Sequence, residues 1–174
     1  MRPRKTLKLR SNAMGNWLEL RVDYFEQVAR DVFDHYMRQH GFGSGEADEA
    51  GYLTYRRDRV FLQLHYYVED RPKYSPMVSI GLSDAAHLYS GFDRIGLWYA
   101  IPEGSELRDY ETWRYSNADE LKQVLTRIRN EVVDVYARPL WEDPKKLAEL
   151  IDKRYQEVKA ERQGGALKKR GSLV

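Results

Sequence analysis

The residues able to do chemistry are few in kind and poorly grouped. Of the four histidines, His35, His40, His65 and His87, only His35 has a partner at ligand spacing: Asp31, one helical turn earlier. No third ligand accompanies them, so the pair reads as the polar side of an amphipathic helix, and no metal or other cofactor is expected. Glu157-Val158-Lys159 has the Glu-x-Lys spacing of metal-dependent nucleases, with Glu69-Asp70 as further carboxylates. That step works on a strand, where i and i+2 share a face; in a stretch of helical periodicity the two side chains diverge. Gly43-Ser44-Gly45 lacks the Lys-Ser or Lys-Thr of a phosphate loop, follows a helix and sits among acids. No serine has Gly-x-Ser-x-Gly surroundings, and the absence of cysteine removes disulfides, thiolate sites and cysteine nucleophiles together. No catalytic residue is assigned, and an enzyme is the less favoured reading.

The aromatic content is more unusual, with thirteen tyrosines and four tryptophans in 174 residues. Most belong in a core or on its rim. In Val60 to Val68, however, Val60, Leu62, Leu64, Tyr66 and Val68 share one strand face and Phe61, Gln63, His65 and Tyr67 the other. If Leu62, Leu64, Leu97 and Tyr99 meet the helices, then Phe61, His65, Tyr67 and Trp98 turn to the opposite face and form a candidate partner-binding surface.

The elements that position these residues follow from periodicity. Apolar residues from about Asn16 to His40 recur at three- and four-residue steps, which predicts an amphipathic helix closed by Gly41. Gly41 to Gly51 reads as a mobile loop. Tyr52 to Tyr55 and Val60 to Val68 read as a hairpin turning at Arg56 to Arg59, with Pro72 and Pro76 in the turn beyond it. Further strands are expected at Met77 to Leu82 and Ile95 to Ile101, with a short edge strand at Trp113 to Tyr115. Ser116 to Glu120 carries a capping pattern for a helix through Leu121, Val124, Leu125, Ile128, Val132 and Val135 that Pro139 ends. Asp143-Pro144 opens a final helix to about Arg162. Helix, strands, then two helices, without strand–helix alternation, specify an α+β fold: an antiparallel sheet of four or five strands with the helices on one face.

The formal charge of +2 is unevenly spread, with +5 in the first thirteen residues and +3 in the last fourteen, which leaves −6 between them. Basic residues concentrated in tails are not a nucleic-acid surface, and no nucleic-acid partner is expected. Ser11-Asn12-Ala13 before Met14 reads as a tag remnant, so residues 1–13 are taken as that or as a disordered basic arm. Residues 14–162 form a single domain and residues 163–174 a disordered basic tail. No apolar run approaches the roughly 20 residues of a membrane span, and the cysteine-free chain suits the cytoplasm.

Tyr55-Arg56-Arg57-Asp58-Arg59-Val60-Phe61-Leu62, Tyr66-Tyr67, Val78-Ser79-Ile80-Gly81-Leu82, and Asp119-Glu120-Leu121 leading to Pro139-Leu140-Trp141 resemble small uncharacterised bacterial proteins. Some of these look like immunity proteins of polymorphic toxin systems. The resemblance implies a noncatalytic protein-binding module with a protein partner or self-association. The alternative is a small-ligand-binding protein or enzyme with an aromatic pocket under the 41–51 loop.

Overall fold

Residues 15–68, 74–85 and 92–170 are described by a computed structural model, with side chains placed for 24–65, 75–85, 92–109 and 111–163. Helix α1 spans Gly15–Gln39 and ends in a Schellman motif. Gly41 takes φ +80°, its N–H reaches the Arg38 carbonyl at 3.0 Å, and the Phe42 N–H reaches Met37 at 3.0 Å. Five antiparallel strands follow, β1 (Glu46–Ala47), β2 (Leu53–Arg57), β3 (Val60–Val68), β4 (Tyr74–Leu82) and β5 (Arg94–Gly96), paired in chain order. The β2–β3 turn is shorter than the expected Arg56 to Arg59: Arg56 and Arg57 pair with Phe61 and Val60 as strand residues, which leaves Asp58 and Arg59 to turn, and Asp58 takes φ +51°, which its short polar side chain tolerates.

After the sheet, helix α2 (Ala118–Arg127) passes into a π-helical stretch, Ile128–Ala137, then α3 (Arg138–Glu142) and α4 (Pro144–Arg170). The Asn117 side chain caps α2 by accepting from the Glu120 N–H at 2.9 Å, and Asp143 caps α4 through the Lys145 and Lys146 N–H groups.

One contiguous core joins these elements. Register aligns Leu53, Leu64 and Val78 in one row and Tyr55, Leu62, Ile80 and Ile95 in the next. Onto these rows pack Phe25, Phe33 and Met37 of α1, Leu121 and Leu125 of α2, Ile128 and Val132 of the π stretch, and Leu147 and Ile151 of α4. Arg57 ties the helix ends together by donating to the His40 carbonyl at 3.0 Å and to the Trp141 carbonyl. The arrangement is α+β, and no described helix is long and apolar enough to cross a membrane.

Several local expectations are corrected. The strand expected at Ile95 to Ile101 stops at Gly96, and Leu97–Tyr99 is a 3-10 turn that drops Leu97 into the core. Trp113 to Tyr115 is not an edge strand: Asp109 caps a 3-10 turn at Tyr110–Trp113 by accepting from the Glu111 N–H, and Tyr115 keeps an isolated bridge. Pro139 does not end the helix. It falls in the first turn of α3, after π turns in which the Arg138 N–H bonds five residues back to Val133. Pro76 lies within β4, opposite Tyr66, where β5 does not pair with β4, so the missing N–H breaks no ladder on that side. The 41–51 segment contains β1 and is pinned by Arg30 Nη1 on the Gly45 carbonyl at 2.8 Å and by the Gly43 N–H on Arg56 at 2.9 Å. The last helix continues to Arg170 instead of closing near Arg162. Residues 1–13, Glu69-Asp70, Pro72 and His87 lie outside the described residues.

Candidate functional site

Alternation along β3 sends Val60, Leu62 and Leu64 into the core and Phe61, Gln63 and His65 to the other side of the sheet. The first row on that side runs Arg56, Phe61, Gly81, Arg94 across β2 to β5. The second runs Thr54, Gln63, Ser79, Gly96, and the third pairs His65 with Met77. Phe61 is only 4% exposed yet stands outside the core cluster. Its ring is flanked by guanidinium groups, Arg56 at 5.6 Å and Arg94 at 5.4 Å from the centroid. Gly81 makes this possible, because a Cβ there would overlap both the Phe61 ring and the Asp93 carbonyl oxygen.

The polar groups on this face hold one another. Arg94 Nε donates to Asp93 Oδ1 at 2.7 Å, Nη2 donates to Asp93 Oδ2 at 3.3 Å, and Nη1 donates to Gln63 Oε1. Gln63 Nε2 in turn donates to Thr54 Oγ1 at 3.1 Å. A hydrogen-bonded string thus crosses from β5 to β2 over Gly81, and such strings fix side-chain positions more firmly than isolated pairs. At the far end the Tyr52 ring meets His65 at 4.6 Å, and Asp48 Oδ1 accepts from the Ala50 and Tyr52 N–H groups at 2.9 and 3.0 Å.

His65 is half-buried, and its Nδ1 is enclosed with no hydrogen-bond partner among the described residues. Burial, and then the nearby positive charge of Arg94, hold its pKa below the ordinary histidine value, so the ring is neutral near pH 7. Asp48, Tyr52, Gln63, His65, Ser79 and Arg94 line an open concavity of about 410 Å³. Asp48 belongs to the 41–51 segment expected to cover a pocket; the lining is more polar than aromatic.

Of the four expected contact residues, the structure brings Phe61 and His65 to one face. Tyr67 belongs to β3, but its side chain is outside those described. Trp98 lies in the 3-10 turn beyond β5, half-buried, with its indole stacked on Trp113 at 6.3 Å and its Nε1 enclosed with no partner among the described residues. Asp31 accepts from Gln27, and Glu157 pairs with Arg154 on α4. Among the described residues no three His, Asp or Glu side chains gather as a metal site.

The arginines, Gln63 and Ser79 carry this face and were not singled out from sequence. A signal for two of them exists: once Asp58-Arg59 is taken as the turn, Arg56 must stand opposite Phe61 and Thr54 opposite Gln63. No protein-family model, curated protein or solved structure matches the chain.

Proposed function

We propose that the protein is a noncatalytic protein-binding module that docks a protein partner, or a second copy of itself, through the sheet face opposite the helices. The observation that carries this reading is Phe61, an aromatic ring outside the core held between two arginines whose own side chains are about half exposed. Arginine and aromatic side chains fixed in place are the residue types that dominate contact energies, since little rotamer freedom remains to be lost on binding. The narrower form of the proposal is an immunity-like role, in which the module blocks another protein. The −6 charge of residues 14–160 favours a basic partner through steering, while Arg56 and Arg94 are locally offset by Glu46 and Asp93.

The test compares the full chain with Arg56→Glu in affinity capture from the source cells and in light scattering. Arg56 is more exposed than Phe61 or Arg94, so Arg56→Glu should leave the chain folded, with melting lowered only by the loss of its contacts with Phe61 and Glu46; Phe61→Glu would instead place a charge in a buried position and read out folding. A partner or second copy bound by the wild type and lost with Arg56→Glu supports the reading. Equal binding by both chains, or a monomer that captures nothing, overturns it. A toxin gene immediately upstream supports the immunity-like form, and an operon of metabolic genes counts against it.

A further inference from the structure

We infer that the concavity lined by Asp48, Tyr52, Gln63, His65, Ser79 and Arg94 binds a neutral, polyhydroxylated small molecule of the saccharide class. This goes beyond the docking proposal and stands whether or not a partner uses the rest of the face. At about 410 Å³ the space lies within the roughly 300–1,000 Å³ of small-molecule sites.

The first argument is charge. Arg94 is paired in the plane of its guanidinium with both Asp93 oxygens, and His65 is held neutral, so neither side chain offers an unbalanced positive charge to an anion. The remaining charged group of the lining, Asp48, accepts two backbone N–H groups through Oδ1 and would repel an anion. A carboxylate or phosphate is therefore disfavoured.

The second argument is a count of donors and acceptors. Among the described residues Arg94 uses three of its five N–H groups and the Gln63 amide one of its two, so both retain donors there. The enclosed Nδ1 of His65 meets no acceptor among the described residues. A buried bare lone pair costs less than a buried orphan N–H, so the ring proton belongs on Nε2, the edge left to meet a ligand. Ser79 supplies a hydroxyl that both donates and accepts, and Asp48 Oδ2 accepts. Vicinal hydroxyls donate and accept at once and match such a mixture, whereas a pure donor or pure acceptor ligand would leave half of it unpaired.

The third argument is shape. Tyr52 and His65 meet at an interplanar angle of 47° and form an aromatic corner against which the C–H face of a sugar ring packs. Gln63 and Arg94 are fixed in advance by the Asp93–Arg94–Gln63–Thr54 string, and Asp48 by its two backbone N–H donors, which lowers the ordering cost of binding.

The test uses the full chain with uniform isotope labels and follows His65, Gln63 and Arg94 side-chain resonances. The probes are D-glucose, D-galactose, D-mannose, N-acetyl-D-glucosamine, maltose, lactose and chitobiose, with succinate and inorganic phosphate as the anionic arm. At least one saccharide should shift these resonances saturably, and Tyr52→Ala and Ser79→Ala should each weaken it about tenfold. Melting curves establish that each variant is folded, and Ser79→Ala, a near-isosteric change, serves if Tyr52→Ala unfolds. Saturation by no saccharide, tighter binding of succinate or phosphate than of any saccharide, or equal affinity in a folded variant overturns the inference.

Discussion

His65 is a residue whose neighbours decide its protonation. Its folded pKa lies below the unfolded value of 6.5, first because burial disfavours the charged ring and then because Arg94 repels it. As pH falls, the unfolded chain therefore takes up the proton first, and stability is lost from about pH 6.5 down to the folded value, while above that range the contribution is complete. His65→Gln removes this term. The drop in melting temperature between about pH 7.5 and about pH 5.5 should be smaller in the variant than in the wild type; equal drops would show that His65 titrates alike in both states. At this scale the sequence put His65 on the same sheet face as Phe61 through period-two alternation alone. It did not supply Arg94, whose position depends on a strand that begins some thirty residues later and on Gly81, the residue it pairs with on β4, leaving room beside Phe61.

Among the elements, α2 is the one whose phase the sequence specified most directly. Leu121 and Leu125 recur at helical steps and Ile128 continues them into the π stretch, Asn117 caps the first turn, and all three apolar side chains are fully buried, whereas Val135, expected on the same face, is exposed because the π turns shift the phase. Leu125→Ala should cost about 2–5 kcal/mol in urea unfolding, because the surrounding core cannot close over the lost atoms. A loss within about 0.5 kcal/mol would place the residue at the surface. The chain after Gly96 was less legible for a physical reason. Alternation holds only while the backbone stays extended, and the 3-10 turn at Leu97–Tyr99 rotates successive side chains by about a third of a turn instead of half. Trp98 therefore took a place beside Trp113 that no strand pattern foretells. Pro139 misled for a related reason, since the rule that proline stops a helix assumes α-type bonding in the preceding turn, and here that turn is π-helical.

For the whole molecule, the core cluster runs without a break from Phe25 through both inner sheet rows to Ile151, and it encloses Trp113 and Trp141 completely. Unfolding should then be one cooperative event, with tryptophan fluorescence and far-ultraviolet circular dichroism giving coincident urea transitions. Separate midpoints would divide the sheet from the C-terminal helices. The sequence by itself determined the α+β class, α1 and its glycine stop, the β2–β3 hairpin, and the start and inner face of α2, because each is written in contacts between residues a few positions apart. Tertiary structure alone decided that β5 would be three residues long, that arginines from β2 and β5 would cover Phe61, and that Asp48, Ser79 and Arg94 would share a concavity. Those groups lie on different strands, and which side chains meet across a sheet is fixed by pairing register, a property of the assembled ladder and not of any local stretch of chain.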